Sequence, residues 1–219
     1  MRLDTYLVRE KFIASRSRAQ RAIKRGFVSV DGRTVVKASF DVISTNAVTV
    51  SAAANKPAGY AKLREIQDVC ELIKSGDVVL DVGASAGGFL LYAVELARQV
   101  YAIEFSLSCK PLLEAIASQH ADKVKVIYAD AFSYDFDHLG VVFDVVLNDV
   151  TAEPSDALAL LDKLSAALKV GGLVLQVFKA KIAEHGEIDL LKRVEHQGFR
   201  IVSAMTAQKD ELYVVAQKK

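Results

Sequence analysis

The sequence is poor in cysteine and contains no long apolar segment. Cys70 and Cys109 are its only cysteines, which excludes a disulfide-stabilised extracellular domain and predicts a reducing compartment. No apolar run approaches the ~20 residues that a membrane-spanning helix needs, and the charged N-terminal segment lacks the apolar core of a signal peptide. Histidines and cysteines do not cluster at metal-ligand spacing. We therefore expect a soluble, cytoplasmic protein that uses no metal.

The charge of the chain is small overall but unevenly distributed. Hydrophobic residues make up 52% of the 219 residues, enough for a sizeable core, and the net charge is only +1. The first fifty residues contain ten Lys and Arg against four Asp and Glu, whereas the remainder contains eighteen against twenty-three. A basic head on a mildly acidic body indicates a partner with a phosphate backbone.

The basic head predicts a small α+β domain over residues 1–50. Helices are expected over residues 3–12 and 15–25, the second capped by Ser15. An Asp-Gly turn between the segments FVSV and RTVV is typical of a hairpin. The segments DVIS and AVTV predict two further short strands.

One face of the second helix, SRSRAQRAIKRG, is strongly basic. Arg18, Arg21 and Arg25 share that face because residues three or four apart are neighbours on a helix. A solvated surface helix is the alternative, but the shortage of acids and the adjacent hairpin favour binding to nucleic acid. The candidate RNA contacts are Arg16, Arg18, Arg21, Lys24 and Arg25.

The head resembles the small RNA-binding module first named for ribosomal protein S-four. The stretches RLDTYLV and SRSRAQRAIKRGFVSVDGRTVVKAS carry this resemblance, although Phe27 precedes Val28 where the family usually has a Gly-Val step. The resemblance implies that the two helices contact structured RNA.

From about residue 60 the pattern changes to alternating strands and helices, after a small, polar predicted linker at 51–59. Unbroken apolar segments such as VVFDVVL between helical segments indicate a mostly parallel, seven-stranded sheet covered on both faces. We predict an α/β domain over residues 60–219. Strands are expected at 78–82, 100–104, 124–128, 143–148, 172–178, 199–204 and 211–216, and helices at about 60–74, 88–98, 109–119, 154–169 and 185–197.

The Gly-rich loop DVGASAGGFL after the first of these strands allows four interpretations. A phosphate-binding P-loop is excluded because Phe89 and Leu90 stand where Lys and Ser or Thr are required. A dinucleotide loop fits poorly because Ser85 replaces the second glycine of G-x-G-x-x-G. The match of GASAG to a nucleophile elbow lacks an upstream oxyanion loop and a histidine partner.

The fourth interpretation, an S-adenosylmethionine site, is favoured by three acids after three successive strands. Asp81 suits the cofactor's ammonium group, Glu104 its ribose hydroxyls, and Asp130 its adenine amino group. The loop glycines and the helix N-terminus suit its carboxylate. An NAD site would also use Glu104, so only the loop spacing separates the two cofactors. The candidate cofactor-binding residues are Asp81, Gly83, Ser85, Gly87, Gly88, Phe89, Glu104, Phe105, Asp130, Ala131 and Asp149.

The methyl acceptor is indicated by a lysine and two acids. The fourth strand ends VVLNDV, without the prolines and aromatic residue common in methyltransferases for nucleic-acid amino groups, and no catalytic cysteine motif is present. Lys62 precedes the first strand of the body, Glu211 opens the last, and Asp149 follows the fourth. A lysine oriented by carboxylates suits the activation of a ribose hydroxyl.

Residues 60–219 resemble the FtsJ-like ribose 2′-O-methyltransferases, and with the basic head the chain is similar to the TlyA family, labelled hemolysin-like. The resemblance implies a Rossmann-like methyltransferase fold and a Lys-Asp-Lys-Glu tetrad, with Lys62, Asp149 and Glu211 at three positions. At the fourth, Gln176 departs from lysine. Either Lys179 or Lys181 stands in, Lys62 suffices, or the target or activity differs. A stand-in by Lys179 requires the strand to end at residue 178.

The sequence thus predicts an S-adenosylmethionine-dependent methyltransferase acting on structured RNA, most directly on a ribose 2′-hydroxyl of rRNA. Its 2′-oxygen would attack the methyl group in line while Lys62 takes or shares the proton. One alternative is a non-catalytic RNA-binding protein with a residual cofactor pocket, favoured by Gln176. The other is a membrane-active hemolysin, which the lack of an apolar span or a strongly amphipathic basic helix disfavours.

Overall fold

The computed structural model describes residues 1–51, 54, 56–179, 186–207 and 211–219. The chain forms two compact units, Met1–Pro57 and Ala58–Lys219. Their boundary falls inside the segment predicted as a linker, of which residues 52, 53 and 55 lie outside the described residues. No helix in the described part of the chain has the length and apolar character needed to cross a membrane.

The amino-terminal unit packs two helices on a three-stranded sheet. Its elements are α1 (Leu3–Arg9), α2 (Arg16–Lys24), β1 (Val28–Val30), β2 (Arg33–Thr34) and β3 (Val48–Val50). The sheet is antiparallel with the order β2-β1-β3. The hydroxyl group of Ser15 accepts a hydrogen bond from the amide of Arg18 (3.4 Å), which caps α2 as predicted.

The strand predicted for the segment DVIS is wrong. In its place, Asp41 forms a single antiparallel bridge with Arg2. The amide of Val42 donates to the carbonyl of Met1 (2.7 Å), and the N-terminal amino group donates to the carbonyl of Val42 (2.9 Å). The segment is therefore held against the start of the chain and adds no strand to the hairpin.

The carboxy-terminal unit is a seven-stranded sheet with helices on both faces, as the sequence predicts. Its elements are α3 (Ala58–Cys70), β4 (Val78–Val82), α4 (Gly88–Leu96), β5 (Gln99–Glu104), α5 (Lys110–Gln119), β6 (Val124–Tyr128), β7 (Phe143–Asn148), α6 (Pro154–Ala167), β8 (Leu168–Phe178), α7 (Glu187–His196), β9 (Phe199–Ala207) and β10 (Glu211–Lys218). The strand order is β6-β5-β4-β7-β8-β10-β9, and β10 runs antiparallel to the other six strands.

The element boundaries differ from the predictions in identifiable ways. Helix α3 ends at Cys70, four residues early, because Glu71 adopts a positive φ of 47° and the side chain of Gln67 bonds both the amide and the carbonyl of Ile73. Strand β8 begins at Leu168, where that residue pairs with Phe143. The predicted start of the last helix at 185 lies outside the described residues.

Two apolar cores cover the two faces of the sheet. Helices α3, α4 and α5 pack on one face, which we call the α3 face, and α6 and α7 pack on the other, the α6 face. Along β8, Leu175 and Val177 point to the α3 face, whereas Val174 and Phe178 point to the α6 face. Because β4, β5, β6 and β7 are parallel, their carboxyl ends meet at one edge, which we call the carboxyl edge.

Candidate functional site

The Gly-rich loop at the carboxyl edge is a tight turn from β4 into α4. Gly83, Ser85 and Gly87 all have positive φ, of 83°, 51° and 74°. A Cβ atom at Gly83 would lie 3.2 Å from the carbonyl oxygen of Asp149, so only glycine lets the loop lie this close to the end of β7. The amide of Gly83 donates to the carbonyl of Ile103 (2.9 Å), which fixes the loop to β5.

Asp81, the last acid of β4, is fully buried. Neither of its carboxyl oxygens has a hydrogen-bond partner of ordinary geometry among the described residues. Burial, and then the nearby carboxylate of Asp149, raise the pKa of Asp81 to about 8, while the amide of Leu90 in the first turn of α4 acts in the opposite direction. A buried acid without a partner is costly, and an ammonium group of a ligand would complete it.

Glu104 ties the loop to the end of β5. One carboxylate oxygen accepts from the amide of Ser85 (2.8 Å), and the other accepts from the amide of Ser106 (2.7 Å). The side chain is almost fully buried, and each oxygen keeps a lone pair that could accept from a ribose hydroxyl. Phe105 beside it is 75% exposed and leaves an aromatic surface open.

A second fixed turn follows β6. Asp130 accepts from the amide of Phe132 (3.0 Å), and the ammonium group of Lys163 donates to the carbonyl of Phe132 (2.9 Å). Ala131 is buried, and the ring of Phe132 remains half-exposed. An acid, a small residue and an open aromatic ring at this edge suit an adenine base.

Two residues of the Gly-rich loop, Gly88 and Phe89, pack against α3. Phe89 is buried in the core of the α3 face and lies against Gly59 in α3. A Cβ atom at Gly88 would lie 2.7 Å from the Cα atom of Gly59, so the backbones of α3 and α4 are in direct contact. The hydroxyl group of Tyr60 donates to the carboxylate of Glu95 in α4 (2.8 Å). The position of α3 is therefore set by the helix that begins at the Gly-rich loop.

Lys62 projects from α3 into an ion pair with the last strand. Its ammonium group lies 2.6 Å from a carboxylate oxygen of Glu211 and 5.4 Å from the ring centroid of Tyr213. The hydroxyl group of Tyr213 donates to Glu211 as well. Burial alone would raise the pKa of Glu211, but the hydrogen bonds from Lys62 and Tyr213 outweigh it and lower the pKa. Burial and the bond to Glu211 raise the pKa of Tyr213 well above its usual value.

A second ion pair lies beside the first. The ammonium group of Lys179 is 2.9 Å from a carboxylate oxygen of Asp149 and also donates to the carbonyl of Asp149 (2.6 Å). Burial raises the pKa of Asp149, the charges of Lys179 and Lys62 act against this rise, and the charge of Glu211 adds to it. The structure thus brings Lys62, Asp149, Lys179 and Glu211 into one cluster, which we call the Lys-acid cluster.

Gln176 lies outside the Lys-acid cluster. Its side chain is fully buried on the α6 face, where its amide oxygen accepts from the side-chain amide of Asn148 (2.7 Å). Strand β8 ends at Phe178, and Lys179 directly after it points to the α3 face, opposite to Gln176. A stand-in by Lys179 therefore needs no break in the strand, because the cluster lies on the face opposite to Gln176. The other candidate, Lys181, lies outside the described residues.

Tyr213 is the member of this region that sequence reasoning missed. It stands two residues after Glu211 in ELYVVA, and residues two apart on a strand share a face. This spacing could have identified it as a partner of Glu211.

Among the described residues, one candidate RNA contact of the amino-terminal unit, Arg16, has an acidic partner within that unit. The buried carboxylate of Asp4 accepts from Arg2, Arg16 (3.0 Å) and Gln20 (2.8 Å), and the bond from Arg2 contributes most to a strongly lowered pKa of Asp4. Arg16 is thus engaged in holding α2 to α1. The other four candidate RNA contacts, Arg18, Arg21, Lys24 and Arg25, are exposed.

Comparison with protein-family models gives two domain matches. The model of the FtsJ-like methyltransferase family matches residues 58–219, and that of the S4 domain matches residues 1–43. A comparison with curated proteins finds no significant match.

Solved structures share the fold. A candidate hemolysin from Streptococcus thermophilus is 19% identical with a TM-score of 0.60, and the match covers 100% of this chain and 88% of that one. Fibrillarin, a pre-rRNA processing protein from Methanococcus jannaschii, is 22% identical with a TM-score of 0.63, covering 87% and 88%. Aeropyrum pernix fibrillarin, solved with natively bound S-adenosyl-L-methionine, is 20% identical with a TM-score of 0.60, covering 72% and 75%.

Proposed function

Because the chain belongs to the FtsJ-like methyltransferase family, we propose that it methylates a ribose 2′-hydroxyl of RNA, with ribosomal RNA as the substrate. The methyl donor of the family is S-adenosylmethionine. The choice of a ribose hydroxyl rests on the Lys-acid cluster, in which two lysines and two acids form two neighbouring ion pairs at the carboxyl edge.

The residues at the carboxyl edge fit the cofactor. The partnerless carboxyl group of Asp81 would hold its ammonium group, Glu104 its ribose hydroxyls, and Asp130 its adenine amino group. When bound, S-adenosylmethionine supplies a methyl group on a positively charged sulfur, which is already a strong electrophile. The residues of the protein therefore have to position the ribose 2′-hydroxyl and to remove its proton.

We assign that proton to Lys62, which accepts it as the neutral amine, after its ammonium group has given up a proton to Glu211 or to water. A ribose hydroxyl is a weak acid, so its oxygen needs a group that takes or shares the proton during attack. Glu211 and Tyr213 restrict Lys62 to one orientation, because the ammonium group contacts both of them. The Lys179–Asp149 pair orients the ribose, and this positioning is the larger source of rate enhancement.

RNA as the substrate is supported by the amino-terminal unit. Residues 1–43 match the S4 domain, and α2 presents exposed Arg18, Arg21 and Arg25 on a basic surface. One structural neighbour is named a pre-rRNA processing protein. Phosphate contacts from such a surface would give affinity that falls as salt is added. An rRNA substrate also agrees with the cytoplasmic location expected from the sequence.

Methyl transfer to ribosomal RNA tests the proposal directly. Purified protein is incubated with tritiated S-adenosylmethionine and either ribosomal subunits or naked rRNA, and ribose methylation is then mapped by its resistance to alkaline cleavage. Label at one alkali-resistant position supports the proposal. Tight RNA binding without incorporation would establish the alternative that Gln176 raises, a non-catalytic RNA-binding protein. Label on a base would contradict the assignment of the 2′-hydroxyl.

A further inference from the structure

The hairpin of the amino-terminal unit borders a half-open cavity that α2 does not line. Its volume is about 490 Å³. It is lined by residues of the β1–β2 hairpin and of the segment that follows β2, namely Val30, Asp31, Arg33, Thr34, Val35 and Phe40. The space is large enough for one nucleotide, and we call it the hairpin cavity.

The walls of the hairpin cavity are held by hydrogen bonds within the unit. Asp31 accepts from the side-chain amide of Asn46 (2.6 Å) and from the amide of Ala47 (2.7 Å). The amide of Val35 donates to the carbonyl of Val28 (3.0 Å). The carbonyl of Phe40 accepts from the amide of Leu3 (2.7 Å), which fixes the far wall to α1. A ligand would therefore enter a preformed site and would not have to order a loop.

The surface of the hairpin cavity combines an open aromatic ring with an unpaired cation. Phe40 is 38% exposed. Arg33 is exposed and has no ion pair or side-chain hydrogen bond within the part of the chain that the structure describes. Val36 and Ile43, in the same part of the sequence as Phe40, are also exposed, at 64% and 63%.

We propose that the hairpin cavity binds one unpaired nucleotide of RNA. The base stacks on the ring of Phe40, the guanidinium group of Arg33 contacts its phosphate, and the remaining lone pairs of Asp31 accept from an amino or hydroxyl group. An RNA ligand, as opposed to a protein, is indicated by charge, since Arg33 lines the cavity and the first fifty residues contain ten Lys and Arg against four Asp and Glu. The inference rests on the proposed RNA substrate and adds a base-binding site to it.

Single-stranded RNA binding by the full chain tests this site. Fluorescence anisotropy is measured with a short oligoribonucleotide, as a single strand and as a duplex of the same sequence. Phe40→Leu should weaken single-strand binding about tenfold, the effect of losing one stacked base, and should leave duplex binding unchanged. Phe12→Leu is the matched control, because Phe12 is equally exposed at 38% but stacks on Tyr6 and does not line the cavity.

Further variants separate this proposal from the proposed function. Arg33→Met, at an exposed site where folding is not at risk, should also weaken single-strand binding more than duplex binding. Arg18→Glu should weaken both forms. If Phe40→Leu and Arg33→Met bind single strands like the wild type while Arg18→Glu binds weakly, the nucleotide site is refuted but RNA binding stands; this is also the result expected if the cavity serves a protein partner. If the wild type binds neither form, both proposals fall.

Discussion

Two polar pairs join the ends of β7 and β8, one on each face of the sheet, and they differ in charge and solvent access. On the α3 face, Asp149 and Lys179 form an ion pair whose side chains are each about one-fifth exposed. On the α6 face, Asn148 and Gln176 form a neutral hydrogen bond in full burial. Charge is tolerated where water reaches the pair, whereas the buried position requires neutral partners. We infer that the charged pair serves the reaction and the neutral pair holds the strand ends in register.

The largest expected effect concerns Lys62, which extends from α3 to Glu211 beside the charged pair. Lys62→Ala should lower kcat for methyl transfer about a thousandfold, since a positioned proton acceptor contributes on that order. Single-turnover assays with tritiated cofactor measure the loss. Lys74→Ala is the control, because Lys74 is exposed and precedes β4, at the opposite end of that strand from the carboxyl edge. Equal rates for wild type and Lys62→Ala would remove Lys62 from the mechanism.

The different roles of the charged pair and the neutral pair can be tested by changing the β8-side member of each pair. Lys179→Met should lower kcat about a hundredfold, because Asp149 loses its partner. Gln176→Lys restores the residue expected from the family but places an ammonium group in full burial beside Asn148. It should therefore lower the free energy of unfolding by about 3 kcal/mol, measured by urea denaturation.

The double variant decides between the two lysine positions. With Gln176→Lys and Lys179→Met combined, activity should stay as low as in Lys179→Met alone, because residue 176 faces α6 and cannot reach Asp149. Recovery of activity would show that the two positions are interchangeable and that the assignment of the faces is wrong. Gln176→Leu serves as the control for losing the amide alone, with near-normal kcat and a stability loss of about 1–3 kcal/mol.

The positions of the sheet and of the acids at its edge could be predicted from the sequence, whereas the face on which Gln176 lies could not. Strand periodicity and the parallel order depend on local pattern, so Asp81, Glu104 and Asp130 could be placed together in advance. Side chains alternate between the two faces with every residue of a strand, so a change of one residue in the register moves Gln176 to the other face. No local sequence pattern fixes that register or the end of β8. The failed DVIS strand has a similar origin, since Met1 and Arg2, some forty residues away, bind that segment.

Asp81 is a fully buried acid at the same edge of the sheet, and its charge depends on pH near neutrality. Its pKa of about 8 keeps it neutral at lower pH, whereas a cofactor ammonium group is held best by the carboxylate. Cofactor affinity, measured by calorimetry, should therefore rise about tenfold per pH unit as the pH approaches 8. Asp81→Asn should abolish this dependence. An unchanged slope in Asp81→Asn would assign the titration to another group.

The same raised pKa has a defined effect on stability. The unfolded group ionises near 3.8, so the folded state holds the extra proton between 3.8 and about 8. The stabilisation that Asp81 contributes is complete below 3.8 and is lost as the pH rises through 8. Relative to Asp81→Asn, the wild type should therefore become less stable as the pH rises across this window, which urea denaturation at several pH values measures.

The smallest expected effect comes from a slight shift of α3, the helix that carries Lys62. The Lys179–Asp149 pair is built on strand ends, but Lys62 stands on α3, whose start touches Gly88 through Gly59. In Gly59→Ala the new Cβ atom would lie 3.1 Å from the ring of Phe89, so α3 must shift by a few tenths of an ångström. Such a shift should lower kcat up to about tenfold and leave the cofactor Kd within about twofold. Ala58→Ser, exposed at the same helix end, is the control. A fall in cofactor affinity with unchanged kcat would mean that the glycine contact supports the loop and does not position Lys62.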